Sequence, residues 1–206
     1  MVAGSDTTAI SLSAILYYLL KNLSCMDRLR EEVDSFAASG QLSARPTYKE
    51  SQAMPYLQAV IKEALRLHPA TGLPLERVVP KGGATIAGRH FPEDAIVGIN
   101  TWVAHRDRGV FGENADEFSP ERWLQADAEL AASMNRFWMP FGLGSRTCIG
   151  RHISMLEMCK VLPALVRDFD FTLHDDLIGK EWKTQSYWFV KPLDFQVWLK
   201  PRSQSR

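Results

Sequence analysis

The placement of backbone breakers constrains this fold more than any other feature. Ten of the 13 glycines and six of the 11 prolines fall within residues 69–150. Glycine opens positive φ, and proline fixes φ and removes an amide donor, so such a stretch reads as loops, turns and short strands. The flanks differ. Residues 1–68 read mostly as helix, and residues 151–206 as one helix followed by strands. The expected fold class is therefore mainly α with small β-sheets. Hydrophobic residues make up 46% and charged residues 23%, which fits a chain that buries a core and excludes disorder. At ~150 residues per domain, the 206 residues make one domain, or a domain and a part.

The first helix is expected from the N-terminus to about Leu20, with little polar face and hence largely buried. The start Met1-Val-Ala-Gly-Ser-Asp looks like the inside of a helix rather than a natural beginning. A second helix is expected from Ser24, where Ser24-x-x-Asp27 resembles a capping box, Arg28 and Glu32 are spaced i,i+4, and Gly40 is a stop. Thr47-x-x-Glu50 is another capping box, and Pro55 suits the first turn of a helix reaching about His68 before Pro69. Strand-like runs at Val78-Val79, Thr85-Ile86 and Ala95-Ile96-Val97 are separated by glycines and Pro92. Residues 151–168 read as a helix apolar nearly all round, so buried, with Pro163 kinking or breaking it. Phe195, Val197 and Leu199 alternate, and Tyr187-Trp188-Phe189-Val190 is a further strand expectation.

Lys plus Arg and Asp plus Glu both number 24, so no basic nucleic-acid footprint is present. Cys25, Cys148 and Cys159 form an odd set without CxxC spacing, a poor disulfide or zinc framework that points to a reducing compartment. The apolar run Ala9 to Leu20 is shorter than the ~20 residues of a membrane span, and it lacks the basic flank of a signal peptide.

The strongest chemical signal is Phe141-Gly142-Leu143-Gly144-Ser145-Arg146-Thr147-Cys148-Ile149-Gly150. It is a glycine-rich loop that delivers one cysteine to the mouth of a helix. A helix N-terminus favours a thiolate, and Arg146 offers a fork for a carboxylate. Standing alone, such a cysteine would be structural. Here Phe141, Gly144, Arg146, Cys148 and Gly150 match F-x-x-G-x-R-x-C-x-G, and the loop resembles the haem-binding loop of the cytochrome P-450 family.

Further segments carry the same resemblance. In Glu63-Ala64-Leu65-Arg66, the helical stripe of Leu57, Val60, Ile61 and Ala64 leaves Glu63 and Arg66 opposite it. Periodicity thus predicts a solvated pair worth ~0.5 kcal/mol. E-x-x-R in a helix ending Leu-His-Pro nevertheless resembles the family's ion-pair helix. With Pro120-Glu121-Arg122-Trp123, the resemblance implies a buried structural triad of Glu63, Arg66 and Arg122. Ala3-Gly4-Ser5-Asp6-Thr7-Thr8 resembles the oxygen-activating motif, implying catalytic roles for Asp6 and Thr7 and a local widening of the helix at Gly4. Leu75-Glu76-Arg77 makes Arg77 a second propionate partner beside Arg146. His105-Arg106-Asp107 resembles a family segment, and a surface turn fits it equally well. Trp138 fits either a place near haem or the core. Cys25 and Cys159 read as structural. Cys148 and His152 have the i,i+4 spacing of a metal pair, but no second pair of ligands accompanies them.

The resemblance spans almost the whole chain and corresponds to the second half of the family's usual length, from the oxygen-activating helix onward. It implies one partial domain over residues 1–206, with the N-terminal half and membrane anchor absent. Apolar surface that those helices would cover is expected to be exposed. Residues 77–88 and 136–144 look most like fungal members, in particular the pisatin-demethylase-like group. The implied activity is that of a haem-thiolate monooxygenase. It would hydroxylate or O-demethylate a small apolar substrate, an aromatic secondary metabolite by analogy with that group, using haem b, O2 and electrons from an NADPH-dependent reductase. The reductase would dock near Arg146, Arg151 and Lys160. Residues 70–75 and 183–190 would face substrate, and the expected location is the cytosolic face of the endoplasmic reticulum. Two rivals are a haem-thiolate isomerase or dehydratase, and a truncated non-enzymatic fragment.

Overall fold

The computed structural model describes residues 2–202, and side chains from residue 4 to residue 202. Met1 and the Ala3 side chain, which figure in the readings above, lie outside the described residues. Helix α1 (Val2–Lys21) is followed after one residue by α2 (Leu23–Ala38), and the two are bent by 110°. Next come α3 (Tyr48–Gln52) and α4 (Pro55–Leu67). The Gly/Pro-rich middle carries strands β1 (Leu75–Val78), β2 (Ala84–Ile86), β3 (Arg89–Phe91) and β4 (Ile96–Ile99). It continues with short helices α5 (Thr101–Ala104), α6 (Arg108–Phe111) and α7 (Arg122–Gln125), then α8 (Ala128–Phe137). The chain ends with α9 (Arg151–Asp168), β5 (Phe169–Leu173), β6 (Lys183–Ser186), β7 (Val190–Leu193) and β8 (Val197–Pro201). The strands form four antiparallel two-stranded sheets: β1 with β4, β2 with β3, β5 with β8, and β6 with β7. The architecture is mainly helical with small sheets, as the breaker pattern predicts. No single helix among the described residues is long and apolar enough to cross a membrane.

The core lies where α1, α2, α4 and α9 meet, around Ile15, Leu19, Leu29, Val33, Leu57, Ile61, Met158 and Leu162. A smaller cluster of Val110, Phe111, Ala115 and Met134 sits beneath α8. The capping box at Thr47 forms in both directions, with Glu50 N–H donating to Thr47 and Thr47 N–H to the Glu50 carboxylate. Pro55 occupies the first turn of α4.

Several local expectations are corrected. Helix α2 starts at Leu23, one residue earlier than Ser24 predicts. Its cap position, Asn22, donates its side-chain amide back to the Tyr18 carbonyl at the end of α1. With one residue between two helices, that side chain satisfies the outgoing helix. Arg28 and Glu32 do not pair along the helix. Arg28 binds Glu121, and Glu32 accepts the free N–H groups of Tyr56 and Leu57 at the start of α4. Helix α9 runs unbroken through Pro163, and it is not buried all round. Its second half sinks among the other helices at Met158, Cys159, Leu162 and Val166, whereas Ile153 is 66% exposed. Finally, Tyr187 to Phe189 form the turn between β6 and β7 rather than a strand, because the hairpin register closes at Ser186 opposite Val190.

Helix α1 is tied to the tail at both ends. Near its start, Lys191 on β7 donates to the Asp6 carboxylate at 2.8 Å. Near its end, the Tyr17 hydroxyl donates to Glu181 while the Tyr17 ring stacks on Trp182 at 4.1 Å. There too, Lys21 donates to the Lys180 carbonyl and pairs with Glu181. Burial and the bond to Glu181 raise the Tyr17 pKa above its ordinary value.

Candidate functional site

The glycine-rich loop lies between α8 and α9. The Cys148 N–H donates to the Phe141 carbonyl at 2.8 Å, closing the loop at its base. Gly142 (φ +70°) and Gly144 (φ +69°) take left-handed conformations that a side chain strains. The Thr147 hydroxyl donates to the Gly142 carbonyl and fixes the turn between them. Cys148 is exposed, unlike Cys25 and Cys159, which are buried and whose pKa values burial raises. Gly150 is the cap position of α9, so the cysteine stands just ahead of that helix's first free N–H groups.

Cations and exposed apolar groups lie on the loop and on the elements next to it. Arg77, exposed on β1, donates to the Leu143 carbonyl at 3.1 Å, which docks the strand onto the loop. Arg146 is exposed in the loop itself. Leu143, Ile149, Ile153 and Leu156 are exposed apolar side chains along the same segment, with Ile149 at 99%. A Cβ placed on Gly144 would meet no atom within 4 Å. An exposed sulfur, two arginines and an apolar lip on an open glycine backbone fit haem, which presents iron, two carboxylates and a flat apolar ring.

Behind the loop lies the buried polar cluster. Glu63 and Arg66 are both fully buried, which overturns the solvated face predicted by periodicity. The reason is that residues 105–123 wrap the polar side of α4 and supply partners. Glu63 Oε1 accepts from Arg66 Nη2, Arg122 Nε and the Ser119 N–H, and Oε2 accepts from Arg66 Nε and Trp123 Nε1, all within 3.0 Å. Arg66 uses its remaining donors on the carbonyls of His105, Ala115 and Glu117. Arg122 also reaches the carbonyls of Phe111 and Asn114.

His105, which the sequence fits equally to a surface turn and to a family segment, connects this cluster to the cysteine loop. It is fully buried. Its Nδ1 lies 2.9 Å from the Arg66 carbonyl, and its Nε2 accepts the Met139 N–H at 2.9 Å. Accepting at Nε2 fixes the tautomer with the proton on Nδ1. The Met139 carbonyl in turn accepts the Gly142 N–H. Trp138 pins the same approach by donating to the Lys62 carbonyl, and its ring meets Phe141 edge-on at 6.1 Å. Burial, with Arg66 and Arg106 nearby, lowers the His105 pKa to about 4, so the ring is neutral. Trp123 is the other member that was missed. The indole in Pro-Glu-Arg-Trp is its only trace in sequence.

Helix α1 carries Asp6 and Thr7 and meets α9 through Thr8. The Thr8 hydroxyl donates to Ser154 on α9 at 3.1 Å, six residues after Cys148. Successive helical residues turn by ~100°, so Asp6 points roughly opposite Thr8, with Thr7 between them. Asp6 accordingly meets Lys191 on the far side. Helix α1 is regular here, and the Ser11 hydroxyl donates to the Thr7 carbonyl, with no widening of the backbone. A Cβ on Gly4 would meet nothing within 4 Å. Residues 70–72 and the 186–190 turn are bound together. Val190 N–H donates to the Ala70 carbonyl, Gly72 N–H to that of Trp188, and His68 Nε2 lies 3.0 Å from the Val190 carbonyl.

Comparison with known proteins gives a family match and several relatives. The family model described as "Cytochrome P450" matches residues 1–196. A pisatin demethylase of Fusarium vanettenii is 49% identical over 97% of this chain and 37% of its own length. The cytochrome P450 monooxygenase cicH of Emericella nidulans is 46% identical over 98% of the chain and 40% of its own. The cytochrome P450 monooxygenase gsfF of Penicillium aethiopicum is 44% identical over 96% of the chain and 38% of its own. The chain thus spans about two-fifths of the length of the relatives it matches.

Proposed function

The chain belongs to the cytochrome P450 family, and from that membership we propose that it provides the haem-binding part of a monooxygenase acting on a small apolar substrate. The observation that carries this reading is the exposed Cys148 thiol on its glycine loop, braced from behind by the Glu63–Arg66–Arg122 cluster through His105. When bound, haem supplies the activation of dioxygen and the attack on an unreactive C–H bond.

The residues of the chain do the rest. Cys148 Sγ would hold the haem iron. Phe141, Gly144 and Gly150 shape its loop. Arg146 and Arg77 would hold two carboxylates, Arg77 on a strand already bonded to the loop. Asp6 and Thr7 hold and pass a proton at the Asp6 carboxylate and the Thr7 hydroxyl. The buried cluster does no chemistry, and it keeps the loop from shifting relative to α4. Segments 70–75 and 183–190 are the substrate-facing walls. Exposed Arg146, Arg151 and Lys160 suit an acidic redox partner, an NADPH-dependent reductase at the endoplasmic reticulum surface. O-Demethylation of an aromatic ether is the substrate chemistry suggested by the similar pisatin demethylase.

The test is the ferrous–CO difference spectrum of the protein expressed with haem, with Cys148→Ser beside it. A thiolate-type Soret band lost in the variant is expected. A band that survives Cys148→Ser refutes the assignment of the ligand.

A further inference from the structure

Lys191 is the one cation bonded to Asp6 among the described residues, and it comes from an element with no part in the motifs above. Its backbone is held firmly. The preceding Val190 is buried, with its N–H bonded to the Ala70 carbonyl and its C=O facing His68 Nε2, and the following Pro192 restricts the strand. Asp6 is equally placed, since Thr8, two residues on, is bonded to Ser154 of α9. The ion pair therefore joins two fixed backbones, the helix bonded to α9 and the hairpin bonded to segment 70–72. Both side chains remain partly exposed, so the bond can open and close.

We propose that Lys191 is a positioning residue for Asp6. It holds the carboxylate in one rotamer, and it makes the direction in which Asp6 passes its proton depend on the β6–β7 hairpin. This rests on the monooxygenase reading above.

Two measurements on the haem-loaded protein test it. The first labels surface amines with an acylating reagent and follows the Lys191 peptide by mass spectrometry. Lys191 is expected to react about two- to five-fold faster in Asp6→Asn than in the unsubstituted protein, the range set by a partly exposed ion pair. Equal rates overturn the proposal. The second measures product formed per electron pair consumed, and the solvent deuterium isotope effect on turnover, in Lys191→Met and Lys191→Arg. Lys191→Met is expected to lower the yield about two- to five-fold. The lost electron pairs would reduce dioxygen, with two protons, to hydrogen peroxide. The isotope effect should change while the ferrous–CO band does not, and Lys191→Arg should restore both readouts. A Lys191→Met protein with unaltered yield and isotope effect overturns the proposal. Absence of the ferrous–CO band in the unsubstituted protein overturns the haem reading and the proposal with it. A labelling difference that persists there leaves the pair a purely structural role.

Discussion

Replacing Glu63 with Gln tests whether the buried cluster holds the fold. The change is isosteric, so it leaves no cavity and isolates the electrostatics. The carboxylate accepts five N–H groups, three at Oε1 and two at Oε2. A glutamine has one oxygen. With it at the Oε1 position, the new NH2 faces Arg66 Nε and Trp123 Nε1, donor against donor. The flipped amide faces three donors instead. The least damaging arrangement therefore loses two hydrogen bonds and leaves Arg66, fully buried, without its counter-charge. Breaking a buried pair, its hydrogen bonds included, costs about 3–5 kcal/mol, and with two bonds lost the upper end, roughly 5 kcal/mol, is expected. For a chain of this size that lowers Tm by about 10–20 °C. The comparison is Arg28→Gln, which removes the partly exposed Arg28–Glu121 pair and is expected to cost about 1 kcal/mol or less. Scanning calorimetry or thermal circular dichroism reads both. A Glu63→Gln protein melting within about 5 °C of the unsubstituted one would refute the claim that the cluster is held by charge.

His68 and His105 are both buried, and burial lowers both pKa values to about 4 from the ordinary 6.5. Below pH 6.5 the unfolded chain binds the protons the native rings refuse, so stability is full above about pH 7 and falls as pH drops toward 4. The loss is about 2 kcal/mol per histidine between pH 7 and pH 5. Urea midpoints at the two pH values check this, and an unchanged midpoint would contradict neutral buried rings. Gly72→Ala is expected to destabilise by about 1–3 kcal/mol, because the added Cβ would sit 2.5 Å from Ser186 Oγ and 2.8 Å from Val190 Cγ2. Faster amide exchange at Gly72 and Val190 would accompany it, and a variant as stable as the parent would show that the hairpin yields freely.

The sequence makes some of this molecule plain and hides the rest for physical reasons. Thr47, Glu50 and Pro55 announce their helices because capping is local. The cysteine loop is equally legible, since positive φ at Gly142 and Gly144 demands glycine whatever surrounds it. Glu63 and Arg66 mislead a reader of periodicity because their burial depends on hydrogen-bond partners some 40 to 60 residues away. Asn22 and Ser24 mislead for the opposite reason. Two helices compete for one short linker, and the outcome turns on which end needs the side chain more. His105 is legible only as a choice, because a histidine gains meaning from what its two nitrogens meet, here Arg66 and Met139. The exposed first half of α9 follows from which neighbours reach it, and composition holds no record of that.

The double attachment of α1 also dictates which changes of length this chain can tolerate. Asp6 and Tyr17 are 11 residues apart, about 16 Å along the helix, and each grips the tail. One inserted residue between them would rotate one grip by about 100° relative to the other. Four would nearly restore the angle, yet push the grips about 6 Å apart. Neither change can be absorbed within the helix. The turn at Gly82-Gly83 and the β2–β3 hairpin beyond it, by contrast, are joined to the rest by few bonds. Natural length variation in proteins built like this one should gather there and stay out of α1.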